Sequence, residues 1–458
     1  MKYLIYLVIW AGTAAYACSQ TVLDGYIREG LANNLSLQAR EFSLKRSMAA
    51  LNQARGMFLP SVSLEARYTR AGGGRMIEVP VGDWMNPVYQ TLNELLQAAG
   101  QAPQFPTDIP NIAEPFIRER EHDTKIRVVQ PVFQPAIFYN YRLQKDMRDI
   151  EKLNRDVFTR QLVLDIKTAY YRYLQAGQIV RLLAETENLI REHVRVTESL
   201  FANDKVTGAE VHRARTELYD MAQQQAEAEK QRVLAMGYFN FLLNRPPDTV
   251  IEPPQDGVPV PDSLMALSGA EAVALAGREE LMQMAHGVSA MQNKIGLSVS
   301  GFLPGVSAVL DWGYQGEKYR FTPDDDYWMA SVVASWNLFN GFRDKSRVDE
   351  ARYAKRQQEN ERESLKQQLR LQVREAYQNC LVAQKSLKSA GQRLLSARQT
   401  FRIISRKYQE GMASQVEYID ARSSLTRSEV NHVVTRYDVC IRQAEWERVL
   451  ALYPLPEA

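Results

Sequence analysis

The sequence predicts a mostly α-helical, exported chain with a membrane-facing β portion: four β-strands and long coiled-coil helices arranged as an internal two-fold repeat. Three observations predict it. Distant segments of the chain match one another at a fixed offset, two very long stretches lack proline and carry coiled-coil spacing, and four segments of about ten residues alternate apolar with polar side chains.

The repeat sets the framework. LQVREAYQNCLVAQ (371–384) matches LDIKTAYYRYLQAG (164–177) at an offset of 207, placing Ala376-Tyr377 on Ala169-Tyr170. KYQEGMASQVEYIDARSSL (407–425) matches LFANDKVTGAEVHRARTEL (200–218) at the same offset, with Glu417 on Glu210 and Ala421-Arg422 on Ala214-Arg215. Upstream, GFLPGVSAVLDWGY (301–314) matches MFLPSVSLEARYTR (57–70) at an offset of 244, so the first copy carries an insertion of 37 residues between 70 and 124. The expected division is a leader (1–17), a first repeat (18–250), a linker (251–264), a second repeat (265–453) and a short tail (454–458).

The leader is read from Lys2, the apolar run Tyr3–Trp10 and Ala15-Tyr16-Ala17, which fits an A-x-A cleavage site. Cys18 stands where a lipoprotein cysteine stands, although Ala15 occupies the place usually taken by leucine. It is a candidate lipidation site. No later stretch has 18 consecutive apolar residues, so no transmembrane helix is expected, and the mature chain is soluble, lipid-anchored or a β-barrel component.

Each half then runs helix, strand after Leu-Pro, loop, second strand, long helical stretch. Strands are expected at about 61–70, 124–133, 305–315 and 328–339. Val62, Leu64, Ala66 and Tyr68 share one face. So do Val306, Ala308, Leu310, Trp312 and Tyr314, and likewise Trp328, Ala330, Val332, Ala334, Trp336 and Leu338. A half-buried sheet of a soluble domain alternates in the same way. The ten-residue length, and Trp312, Trp328 and Trp336 near strand ends as membrane-interface aromatics, favour a membrane barrel. Four strands cannot enclose an aqueous lumen, so several copies of the chain must contribute. The insertion, about 71–123, with glycines, prolines and the amphipathic stretch VYQTLNELLQ, is expected to be an extracellular loop that either constricts the mouth or shields the surface.

The helical hairpins are expected over 136–244 and 341–452. Ala136 to Arg245 contains no proline and three glycines, and Asp324 to Tyr453 again no proline. Leu369, Val373, Ala376, Cys380, Ala383, Leu387, Ala390, Leu394, Ala397 and Phe401 keep a 4-3 alternation, as do Leu162, Ile166, Ala169, Tyr173, Ala176, Val180 and Leu183. Breaks at Asn203-Asp204 to Thr207-Gly208 and at Gly411 to Ser414 mark the turns, each followed by a Thr or Ser N-cap. Gln134-Pro135 and Asn340-Gly341 supply the strand-to-helix bends, with helix expected from Phe342.

Composition narrows function. Apolar residues make up 45% and charged residues 24%, and the net charge is +2, which argues against a nucleic-acid binder. His122, His193, His212, His286 and His432 form no metal-binding pattern, no phosphate-binding glycine loop precedes a lysine, and no catalytic triad or carboxylate pair is visible. No cofactor, metal or enzyme activity is expected. Cys380 and Cys440 fall at seam spacing and read as packing residues.

Together the duplication, Leu-Pro before each first strand, NLFNGFR (337–343) and KYQEGMASQVEYIDARSSL (407–425) resemble the TolC family of outer-membrane efflux proteins, over nearly all of the mature chain. The resemblance implies a homotrimer whose twelve strands form an outer-membrane barrel, with a long periplasmic helical tunnel and the linker in an equatorial belt. It implies a passive duct that docks to a periplasmic adaptor and an inner-membrane pump of RND or ABC type. It places an iris-like gate at Tyr408, Glu417 and Asp420, and adaptor contacts at Asn203, Asp204, Lys205, Gly411, Met412 and Ala413. Three copies of the acidic pair are expected to attract cations and to have raised pKa values. Ala413 replaces an arginine that some members use as a latch, so Glu417 and Asp420 are expected to pair with Arg213 or Arg215 instead. The competing class is an exported coiled-coil adaptor or structural protein, which the repeated amphipathic strands disfavour.

Overall fold

A computed structural model describes residues 20–254, 257–260 and 264–455. The expected leader and Cys18 lie outside these residues. In chain order the elements are α1 (Gln20–Asn33), α2 (Leu35–Gly56), β1 (Ser61–Arg70), β2 (Met76–Val79), α3 (Val81–Ala98), β3 (Ile112–Pro115), β4 (Arg120–Phe133), α4 (Pro135–Ala202), α5 (Gly208–Leu242), α6 (Leu267–Gly277), α7 (Glu279–Val299), β5 (Gly305–Gly316), β6 (Asp326–Ser335), α8 (Arg343–Gln409) and α9 (Gln415–Val449). The chain divides into two compact units. One takes the described residues of Met1–Leu51, Arg142–Gln292 and Glu350–Ala458, the other Asn52–Tyr141 and Asn293–Asp349.

The first unit is helical. α4 has 68 residues and α8 has 67, each on the order of 100 Å long. The 4-3 seams are the buried lines: Leu369, Val373, Ala376, Cys380, Ala383, Ala390 and Leu394 on α8, and Leu162, Ile166, Ala169 and Leu183 on α4. The largest apolar cluster joins α1, α4 and α5 to Val433, Tyr437 and Cys440 of α9. Its aromatic centre is Tyr26, Tyr170 and Phe239. The Tyr170 hydroxyl donates to the Glu252 carbonyl at 2.9 Å, and the Glu252 N–H donates to Tyr26 Oη at 2.8 Å, which ties the linker to this core. A second cluster sets Ala270 and Ala274 of α6 against Val373, Ala376 and Cys380 of α8 and Trp446 of α9.

The duplication is visible in the backbone. Non-helical turn residues with positive φ recur at the repeat offset: Asp204 (54°) with Gly411 (72°), and Asn244 (57°) with Ala451 (56°). Instead of the one helix expected before each first strand there are two, broken at Asn34 and at Arg278. Asn34 Oδ1 accepts from the Leu37 N–H at 3.0 Å, capping α2, while its amide donates to the Leu242 carbonyl at 2.9 Å.

The second unit is built on a four-stranded antiparallel sheet, order β1-β4-β5-β6. On its outward face Leu64 and Trp328 are each 73% exposed and Val332 77%. The opposite face is charged and cross-braced. Asp311, fully buried, accepts two hydrogen bonds from Arg127 at 2.8 Å, and Arg127 also meets Glu65 at 3.3 Å, linking three strands. Asp123 accepts from Lys125 at 2.7 Å and from the Tyr327 hydroxyl at 2.9 Å. Gly313, between Lys125 and Tyr327 in the register, has no room for a side chain: a Cβ there would lie 2.2 Å from the Thr124 carbonyl oxygen.

Three boundaries differ from expectation. β4 starts at Arg120 rather than about 124, because it pairs with the whole of β1 up to Arg70. β6 ends at Ser335, so Trp336 and Leu338 lie beyond the strand; β5 starts at Gly305, its register partner, and no neighbouring backbone remains to pair with. Helix α8 begins at Arg343 because Gly341 (59°) and Phe342 (63°) both take positive φ, which makes the bend longer than the sequence suggests. The insertion is not a plain loop. β2 pairs with β3, and α3 is strapped by Asn86, bonded to the Ile109 backbone at 2.9 Å on both sides, and by Asn93, bonded to the Phe105 carbonyl at 2.7 Å.

Candidate functional site

The two hairpin turns lie in the first unit and are built alike. At the first, the Asn203 amide donates to the Ser199 carbonyl at 2.8 Å, and the Thr207 N–H donates to Glu210 Oε2 at 2.8 Å. At the second, the Ser414 N–H donates to Glu417 Oε2 at 2.8 Å, and the Glu417 N–H donates back to Ser414 Oγ at 3.3 Å. Each is a capping box, which satisfies helix N–H groups that have no partner within the helix. Asn203, Asp204, Lys205, Gly411 and Met412 are exposed, and Ala413 is half-buried.

Within one chain the capping box sets the charge state of Glu417. The Ser414 N–H, then its hydroxyl, hold the Glu417 carboxyl below the usual carboxylate range, with Lys407 adding to the effect. Asp420 is exposed one turn further along α9. Neither pairs with Arg215, whose guanidinium is engaged by Glu198 at 2.7 Å.

Other groups tie the hairpins together. Gln415 donates to the Glu210 carbonyl at 2.9 Å, joining one turn to the other. Arg422, buried, donates to the Thr186 carbonyl of α4 at 3.0 Å and lies 3.8 Å from Glu217 of α5. Burial raises the Glu217 carboxyl, with Arg422 opposing. Tyr408 of α8 stacks on Tyr418 of α9 with centroids 4.9 Å apart, and the His193 ring of α4 lies 4.8 Å from Tyr418 and 5.8 Å from Tyr408. Phe401 closes the group, 5.5 Å from Tyr418. Sequence reasoning picked out Tyr408 but missed His193, Tyr418, Gln415 and Arg422. His193 sits beside the seam residue Val194 rather than on the 4-3 line, and contacts between α4 and α9 span more than two hundred residues.

In the second unit Trp312 and Trp328 are direct register partners on the outward face. Trp336, beyond β6, donates its indole N–H to the Phe302 carbonyl at 2.9 Å. Among the described residues, no three His, Cys, Asp or Glu side chains gather as a metal-binding group, and no helix is long and apolar enough to cross a membrane. Cys380 and Cys440 are buried, and burial pushes both thiols up to about 11.

The model of the outer membrane efflux protein family matches residues 272–451. No curated protein sequence matches the chain significantly. Among solved structures the fold is similar to the CmeC outer membrane channel of Campylobacter jejuni, with 14% identity and a TM-score of 0.76 over 94% of this chain and 85% of that one. It is similar to the outer membrane protein VceC from Vibrio cholerae, with 14% identity and 0.75 over 93% and 95%. It is also similar to the open state of the MtrE outer membrane channel of Neisseria gonorrhoeae, with 15% identity and 0.74 over 94% and 88%.

Proposed function

Because residues 272–451 match the model of the outer membrane efflux protein family, we propose that the chain is a member of it and the outer-membrane exit duct of a tripartite efflux or type I secretion system. The observation that carries this reading is the sheet β1-β4-β5-β6. It has two unpaired edges and an exposed apolar outer face. Backbone groups at an open edge have no partner in lipid, so the sheet is completed by further copies. Three copies give a twelve-stranded barrel, with the charged faces lining the lumen and Trp312, Trp328 and Trp336 near the membrane interface. Cys18 is the candidate lipid anchor.

The long helices form the periplasmic part of the duct. The duct is passive, and an inner-membrane pump of RND or ABC type supplies the energy. The turns Asn203–Lys205 and Gly411–Ala413 meet the periplasmic adaptor. Tyr408, Glu417 and Asp420 close the periplasmic end. In this arrangement Glu417 does two things: it caps α9, and it contributes charge near the axis, where two more copies of the pair repel it.

Fractionation tests the duct. The chain should be recovered in the outer membrane as an oligomer that dissociates on heating, and recovery wholly in the soluble periplasm would defeat the reading. Planar-bilayer recordings test the gate. Glu417→Ala with Asp420→Ala should raise conductance and weaken cation preference, and unchanged values would remove these residues from the gate.

A further inference from the structure

His193 is 9% exposed, and its Nε2 meets no hydrogen-bond partner. It is the only side chain of α4 in the aromatic group formed by Phe401 and Tyr408 of α8 and Tyr418 of α9. It therefore stands where one hairpin is seated on the other. An imidazole with a buried, unpaired nitrogen is a proton acceptor with no donor supplied.

We propose that His193 is an acid-sensitive clasp: neutral, it seats the α8–α9 hairpin on α4 through Tyr418 and Tyr408, and protonated, it releases that hairpin. The proposal deepens the gate reading above and rests on it.

The charged and titratable groups around His193 come from three helices. α9 contributes Arg422 and Tyr418, α8 contributes Tyr408, and α5 contributes Glu217 as the partner of Arg422 and Glu210 beside Tyr408. The tyrosine faces would attract an imidazolium. The balance still favours the neutral ring: burial, then the Arg422 charge, hold the imidazole below its ordinary value. A base whose pKa is lower when packed than when released takes up a proton on release. Packing is therefore unaffected well above pH 6.5 and weakens as the pH falls below it. Glu217, raised by burial, titrates with the opposite sign. The response is therefore read as the difference between wild type and a His193 variant.

The test uses the full-length oligomer in a Cys18→Ser background, with spin labels on Asn203→Cys and Met412→Cys, both exposed; the buried Cys380 and Cys440 stay unlabelled. Label separation and single-channel conductance are followed from pH 8 to pH 5. In the wild type both should increase below about pH 6.5, the released fraction approaching about tenfold per pH unit per protomer. His193→Phe, which keeps the ring contacts but cannot titrate, should stay flat. Arg422→Gln, which removes the opposing charge and brings the packed imidazole closer to its released value, should shrink the change in the released-to-packed ratio between pH 8 and pH 5, whatever the loss of its bond to Thr186 does to the baseline. An acid response retained in His193→Phe, no response in the wild type, or an undiminished acid change in Arg422→Gln would each overturn the clasp. Separation that widens without conductance at any pH would leave the clasp standing and defeat the duct, and conductance that rises without widening would do the reverse.

Discussion

Glu280 shows what a single side chain contributes to this helical unit. Arg278 donates to both of its oxygens at 2.9 Å, and Arg448 donates to one at 3.0 Å. Burial opposes its charge most strongly, yet the hydrogen bonds and charge of Arg278 and the charge of Arg448 prevail and hold the carboxyl at about 2. The depressed value means that its stabilising contribution is full above about pH 4.5 and is lost as the pH falls toward 2. Glu280→Ala should cost about 3–5 kcal/mol at pH 7, since it leaves two guanidinium groups buried without their carboxylate. Thermal unfolding would show it, and wild type and variant should converge as the pH falls from 4.5 toward 2. None of this was legible in the sequence. Arg278 ends α6, Arg448 lies near the end of α9, and only the packing of α6, α8 and α9 brings them together.

At the scale of the element, legibility follows the range of the interaction. The helices and their turns were legible because a 4-3 seam and an N-cap are set by residues a few positions apart. The first strand, Ser61–Arg70, was legible for the same reason. The ends of β4 and β6 were not, because register partners rather than local propensity fix where pairing stops. The β2–β3 pair and the full length of α3 were hidden by glycines, by Pro80 and by Pro87 inside the helix. Close backbone approach was equally invisible. Gly313→Ala would set a Cβ against the backbone of Thr124 and Lys125, 2.2 and 2.5 Å away. β4 cannot move aside without breaking its pairing with β1, so the change should cost about 1–3 kcal/mol. A lower dissociation temperature of the proposed oligomer would register it, and an unchanged temperature would mean that the sheet has slack here.

For the molecule as a whole, the duplication carried the fold: one supersecondary order, read once, predicted both halves. The group around His193 was not readable in this way, because its counterpart at the repeat offset, Thr400, is not aromatic. The sheet with two unpaired edges also bears on how the molecule comes to exist. A lone chain cannot enter lipid stepwise, since each partial barrel leaves a row of backbone groups facing hydrocarbon. In the proposed three-chain barrel, encounter between chains must therefore precede or accompany insertion. The rate of membrane insertion should rise more steeply than linearly with chain concentration, approaching third order when the chain is dilute. Folding into lipid vesicles, followed by resistance to heat and detergent, would measure that order. A first-order rate would mean that a single chain can shelter its own edges.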